Sequence, residues 1–590
     1  MNPLIAILIA VAPAPAHPVV KPSIQYVLRV DSADLSGWSV TMYLRSRGEP
    51  IRLAMAAHPE YDDRYWRYVR DVTVDPPNAT VERVDSAVWQ VDAPRGMVTL
   101  RYRLALPAPE RPSRAAWKPF LTPSGGLIGG PHSFMYVLGA EDSTVLVSLV
   151  LPASWQIATE FEPVGGAGHG FRAANAAVLM ESPILVGHLR EWRFIESGIR
   201  HRVVYWPLPD AAPFDTTAFV AGVQAVVHQA IALFGGAPYR EYTFLLQDGA
   251  YGALEHQNSV TLGAPSRELA TDPQAALPEI AHEFVHAWNL MTLRPAEYRD
   301  IDYDTQSPVS CLWFSEGFTM YYADLLLRRA GMVLRDTTRL MHVQRLIASY
   351  LFNPAYARFS AEQVSDVAYN SEPGALGDYA PSTHLQGELI GTMLDLVIRD
   401  ATHGQRSLDD VMRLLYRNAA TERIDGPTIE RAVERVCGCD VTPFFDAHIR
   451  GAGAIDFDRY LGLIGLKTSV TWGPAMLNGA PDRDLRIFGY RPDGERGVRL
   501  IITNPGSSWG RAGLHSRDRL VSIDGMVIDS TQALRAKLQS VRMGDTVRVS
   551  VQRPAGVYTA TVVVTGFDRP TVRVEGTPTA VGTAWLNAKP

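Results

Sequence analysis

Two short motifs constrain this chain more than anything else in it. His282-Glu283-Phe284-Val285-His286 is followed downstream by Leu312-Trp313-Phe314-Ser315-Glu316-Gly317-Phe318-Thr319. Residues four apart on a helix share one face, so His282 and His286 can aim two imidazoles at one zinc ion. Catalytic zinc sites take three protein ligands and keep one position for water. Glu316, on a second expected helix, supplies the third ligand. Glu283 sits beside the pair, placed to take a proton from that water. Ala281, Phe284, Val285, Ala287 and Trp288 are all uncharged, so the first helix reads as buried. A buried Glu between two buried His is costly unless something pairs with it. The fold therefore has to press two apolar, acid-bearing helices together.

The longer pattern continues through Ala287-Trp288-Asn289, Arg294-Pro295 and Tyr321-Tyr322. It resembles the glycyl aminopeptidase family of gluzincin zinc metallopeptidases. More distantly it is similar to the aminopeptidase N and leukotriene-A4 hydrolase group. The resemblance implies a thermolysin-like core with one zinc per chain on His282, His286 and Glu316. It also implies a Gly-x-x-Glu motif on an edge strand, here Gly252 and Glu255. There an extended substrate pairs with the strand backbone, and Glu255 captures the free α-amine. Small N-terminal residues, Gly and Ala, are the implied preference. Where the related families place an oxyanion-donating Tyr, this chain has His384. A donor near the developing oxyanion is what the chemistry needs, so His384, or a loop tyrosine such as Tyr379 or Tyr369, is expected there. Met291-Thr292 is a second departure, where the family tends to be basic.

At 590 residues the chain exceeds one core, and length suggests roughly three or four domains. The expected class is multidomain α+β. Leu4 to Val11 is an apolar run too short to span a bilayer, and Ala14-Pro15-Ala16 follows it. That pattern fits a signal peptide over residues 1–16, cut after Ala16, although its start lacks Lys and Arg. Export to the periplasm or medium follows as the expectation, with no integral membrane segment. Residues 17–205 alternate in short β-type runs, closing on Arg202-Val203-Val204-Tyr205-Trp206, and suit an all-β, sandwich-like domain. Residues 206–330 form the α/β zinc core, its zinc helix entered near Asp272-Pro273. Residues 331–470 are helical, with helices expected over 332–352, 385–402, 408–419 and 426–436. A polar loop over 353–381 is expected to border the cleft.

From Thr471 the pattern changes again. Pro505-Gly506-Ser507, Ala512-Gly513-Leu514 and Ile523-Asp524-Gly525 resemble a PDZ domain over 471–568. Phe488, Gly489 and Tyr490 fall in its expected carboxylate-binding loop, which would hold a peptide C-terminus. Residues 569–590 read as a tail ending in Trp585-Leu586. The net charge of −6 excludes a nucleic-acid footprint, leaving peptides as the expected partners. The three cysteines, Cys311, Cys437 and Cys439, are too few for a disulfide framework and read as small buried thiols. Two other functions stay open. A zinc endopeptidase would cut substrates with blocked N-termini. A catalytically weakened scaffold would act through its PDZ domain.

Overall fold

The computed structural model describes residues 24–56, 64–106, 114–165, 169–299, 301–303, 308–332, 336–369, 371–492 and 497–589. The signal-peptide reading of residues 1–16 lies outside them. Strand Ile24–Asp31 alternates buried and exposed positions, as a sheet with one solvated face requires. It joins a seven-stranded sheet, and two four-stranded sheets complete the domain. All three close on one core that includes Trp38, Trp89, Phe134 and Ile184.

This β-rich domain ends earlier than expected. Arg190–Glu196 (β1) and Ile199–Trp206 (β2) form a hairpin, and β2 runs parallel to Glu241–Gln247 (β3) after the helix Thr216–Phe234 (α1). Ala253–Glu255 (β4) and Ser259–Gly263 (β5) complete a mixed sheet of order β1-β2-β3-β5-β4. Arg202–Trp206 is thus a strand of the peptidase sheet, not the last strand of the β domain. Its helix-facing side chains Val203 and Tyr205 join the peptidase core, while Val204 and Trp206 face Phe120 and Leu185 of the β domain. α1 is long and apolar enough to cross a membrane by length and composition. It instead buries Phe219, Val223, Val226 and Val227 in the peptidase core.

The zinc helix is Leu277–Val285 (α2). Pro278 stands in its first turn, five residues beyond the Pro273 of the expected Asp272-Pro273 entry; Asp272 instead caps a turn through Gln274. Leu312–Ser315 (α3) and Gly317–Arg329 (α4) flank Glu316, and Arg339–Phe352 (α5) starts later than expected, capped by Thr338. The expected 353–381 loop holds a 3-10 turn over Pro354–Ala357 and a helix over Ala361–Asp366 with a Ser360–Gln363 capping box. Thr383–Ala401 (α6) follows.

The PDZ domain is bracketed by a ribbon. Leu466–Pro474 (β6) pairs antiparallel along its whole length with a strand over Asp568–Gly576. Between them, Ile487–Tyr490 (β7) is the edge of the PDZ sheet beside Val498–Ile502 (β8), and Thr531–Ser540 (α7) lies over it. The segment read as a tail forms a strand and a helix. Strand Asp568–Gly576 (β9) lays Val572 and Val574 on the peptidase core, and Ala580–Leu586 (α8) inserts Trp585 into it. Arg339 donates to the Trp585 carbonyl (3.0 Å), Arg329 to Ala588 (2.9 Å) and Arg399 to Lys589 (3.0 Å). The three guanidiniums thus hold the last turn of α8 and the residues just past it against the peptidase core.

Cys437 and Cys439 are joined in a disulfide rather than held as thiols. Gly438 turns the chain in the left-handed region (φ 64°) after helix Gly426–Cys437. The turn brings the two Cα atoms to 5.2 Å, inside bridging range. Cys311 is a buried free thiol.

Candidate metal centre and active site

α2 is fixed by its apolar face. Ile280, Ala281, Phe284 and Val285 are fully buried, and Phe284 meets Tyr242 edge-on at 4.9 Å. The opposite face then presents His282 and His286, whose Nε2 atoms lie 3.2 Å apart. Glu316 Oε2 is 3.5 Å from each. Ligands about 2.0–2.2 Å from a tetrahedral zinc stand roughly 3.3–3.5 Å from one another, so the three atoms fit the metal. His286 Nδ1 bonds the Asn289 carbonyl at 2.8 Å, which leaves Nε2 free to ligate. Against the pull of burial, Glu316 lifts His286 to about 9, while burial takes His282 down to about 4. Burial opposes Glu316's charge, yet His286 and His384 hold its carboxyl well below the usual range. The centre is built to accept positive charge.

Two features of the surrounding chain set this geometry. Asn289, fully buried, donates to the Phe314 and Ser315 carbonyls and the Thr319 hydroxyl, each at 3.1 Å. One amide thus ties the end of the zinc helix to the turn carrying Glu316. Sequence reasoning gave Asn289 no role; a polar residue in an otherwise apolar run was the available signal. The second feature is a glycine crossing. A Cβ on Gly317 would stand 2.2 Å from the Gly387 Cα, and one on Gly387 1.9 Å from the Trp313 carbonyl oxygen. α4 and α6 therefore touch backbone to backbone, which brings the first turn of α6 over Glu316.

That contact delivers His384. Its Nε2 is 3.1 Å from Glu316 Oε2, and its ring stacks on His282 with centroids 5.6 Å apart. With its side chain 46% exposed, His384 faces open space beside the metal residues. Tyr379 is turned instead onto Phe359 (5.5 Å) and beneath Arg358, and Tyr369 is buried in the core.

Glu255 lies on β4, the edge of the peptidase sheet, and is 5% exposed. Glu255, Glu283 and His286 offer ligand-type atoms all within 4.8 Å of one another. Gly252 precedes β4 with φ +68°, and a Cβ there would strike the Trp117 ring at 2.8 Å. The β-rich domain supplies Trp117 and also pairs Arg114–Ala115 with Ala250–Tyr251. It thus closes the strand just ahead of Gly252. Among the described residues no strand covers the outer edge of β4.

The PDZ residues differ from expectation. Phe488, Gly489 and Tyr490 form strand β7, not a carboxylate-binding loop. The turn before it already holds a carboxylate of its own. Buried Asp484 accepts both arms of Arg486 at 2.9 Å and the Ser508 N–H at 2.7 Å. Phe488 is exposed, and a Cβ on Gly489 would meet Leu534 of α7 at 2.6 Å.

Comparison with known proteins follows the same division. The sequence matches the M61 glycyl aminopeptidase family over residues 276–384, the M61 N-terminal domain over 28–188 and a PDZ domain over 477–564. An aminopeptidase N family protein from Idiomarina loihiensis superposes with a TM-score of 0.76 at 21% identity, covering 95% of this chain and 100% of that one. An M1 zinc metallopeptidase from Deinococcus radiodurans covers 73% of this chain and 94% of that one at 16% identity, with a TM-score of 0.45. The first likeness is one of fold; the second is too distant to carry an argument. No curated protein matches the chain.

Proposed function

The chain belongs to the M61 glycyl aminopeptidase family, and from that premise we propose that it is a zinc aminopeptidase. It removes the first residue of peptides with a free N-terminus, Gly and Ala being the residues the family relationship favours. The observation that carries the reading is Glu255, a buried carboxylate on an open strand edge beside Glu283 and His286. Two buried carboxylates that close repel each other, and a substrate ammonium between them relieves the repulsion.

His282, His286 and Glu316 would hold the zinc. When bound, the metal supplies Lewis-acid polarisation and lowers the pKa of water in the site toward about 7. Glu283 takes the proton from the attacking water and returns it to the leaving amine. Glu255 fixes the α-ammonium while the backbone of β4 pairs with the extended substrate. His384 donates to the oxyanion as the carbonyl becomes tetrahedral. Peptides are the partners on this reading, and an extended peptide can also add to the exposed edge of β7. The Cys437–Cys439 disulfide supports export to an oxidising compartment.

A panel of aminoacyl amides and their N-acetylated forms, assayed with and without chelator, tests the proposal. Free-amine substrates should be cleaved, chelation should abolish cleavage and zinc should restore it. Full activity in a metal-free preparation defeats the zinc reading. Equal cleavage of acetylated substrates favours the endopeptidase.

A further inference from the structure

The segment that leads into His384 is gripped by the PDZ domain. Asp378 accepts the Ser516 N–H at 2.6 Å, and its second oxygen lies 2.7 Å from His515 Nδ1. Arg517 donates to the Pro373 carbonyl at 3.1 Å and the Glu372 carbonyl at 3.2 Å. The approach is close, since a Cβ on Gly374 would stand 2.9 Å from the Ser516 Cβ. Arg517 holds φ +70°, a backbone cost that persists only where surrounding contacts impose it. On the PDZ side the grip is rooted in the sheet. Ser516 Oγ accepts from the Ile502 N–H (3.0 Å), and Ile502 pairs with Ile487 of β7.

At its other end the segment meets the peptidase. Asn353 donates to the Ala380 carbonyl at 2.9 Å, the Ser382 N–H donates to the Tyr356 hydroxyl at 2.9 Å, and the Ser382 side chain caps α6. His384 is the second residue of that helix. Only residues 379–381 separate the PDZ grip at Asp378 from the Ser382 cap that sets the first turn of α6.

We propose that Asp378 is a positioning residue, through which the PDZ turn 515–517 sets where His384 stands over Glu316. The PDZ domain on this view is part of the active-site frame. The catalytic half of the inference rests on the role given to His384 above. His515 is 58% exposed and Asp378 15%, and a pair with one partner so exposed contributes little to stability alone. The expected effect is therefore on placement rather than on folding.

The test uses the full chain and two independent changes. Asp378→Ala removes the acceptor, while Asp378→Asn keeps an oxygen for the Ser516 N–H. Arg517→Gly removes the guanidinium at a position whose backbone suits glycine. Amide hydrogen exchange over residues 379–386 should rise in Asp378→Ala and Arg517→Gly, with α2 and α4 still protected. Turnover should fall about tenfold in kcat with little change in KM, since the oxyanion donor acts in the transition state. Asp378→Asn should recover most of both. Unchanged exchange in the first two variants overturns the proposal whatever the enzyme hydrolyses. So does raised exchange with unaltered kcat. A parent that cleaves no free-amine substrate counts against the aminopeptidase reading alone, and the exchange result still decides whether the PDZ turn holds the segment.

Discussion

Replacing Glu255 tests the aminopeptidase reading at its narrowest point. Ligand-type oxygens of Glu255 and Glu283 lie no more than 4.8 Å apart, and both side chains are at least nine-tenths buried. At an effective dielectric of about 20, two unit charges at that spacing repel by roughly 3.5 kcal/mol. A substrate ammonium between them replaces the repulsion with two attractions. Glu255→Gln keeps the shape of the side chain and removes its charge, so the ammonium loses one partner in a partly dry cleft. Breaking such a pair costs on the order of 3–5 kcal/mol. At about 1.4 kcal/mol per decade, kcat/KM on free-amine substrates should fall a hundred- to several-thousand-fold. Hydrolysis of N-acetylated peptides should be negligible in the parent and no lower in the variant. Initial rates on Ala-amide and acetyl-Ala-amide at subsaturating concentration read both quantities. A variant within a few-fold of the parent on the free amine refutes the electrostatic argument and makes Glu255 a structural carboxylate.

Two further outcomes follow from the core. Truncation at Thr471 removes β9 and α8, and emptying the Trp585 site alone costs about 3–5 kcal/mol. The truncated chain should melt well below the parent, whereas replacing residues 476–566 with a short glycine turn should leave the melting temperature close to it; equal melting of the two deletions contradicts the docked tail. His201 is fully buried, stacked on Phe194, and burial lowers it to about 4. The unfolded chain binds this proton near 6.5 and the folded chain does not. Stability present above pH 6.5 should therefore drain away as pH falls toward about 4, by up to about 3 kcal/mol. Thermal melts of His201→Gln should show a shallower loss across that window, and identical slopes refute the assignment.

The metal residues were legible because their signal is local. His282 and His286 are one helical turn apart, and Glu316 sits in an equally apolar run. The four longer helices expected after Glu316 were legible for the same reason, to within a few residues except at the start of α5. The short helices over Ala361–Asp366, Thr442–His448 and Phe457–Gly462 carry too few turns to show a period. Pairings between distant segments were not. Arg202–Trp206 carries the same β-type pattern as the strands before it, and only its partner Glu241–Gln247 assigns it to the peptidase sheet. Strand β9 alternates as a strand should, but its partner β6 lies about a hundred residues earlier, so it passed for a tail. The zinc helix was expected at the wrong proline because Pro273 and Pro278 both fit a first turn, and packing of Leu277 and Ile280 decides between them. The grip on Asp378 joins two domains through a polar loop, and no periodicity in either segment announces it.

The ribbon at the base of the PDZ domain has a consequence for how weak contacts can matter. The chain enters and leaves the domain at adjacent points, with the Ala475 N–H donating to the Phe567 carbonyl at 2.8 Å. Two hydrogen-bonded strands resist twisting in a way that a single flexible linker cannot. A partner mounted in this way meets its surface at the high effective concentration of an intramolecular event, millimolar even for a short flexible tether. Contacts that would not hold two separate proteins together, a partly exposed His–Asp pair and two arginine bonds to backbone carbonyls, can then keep a loop in register.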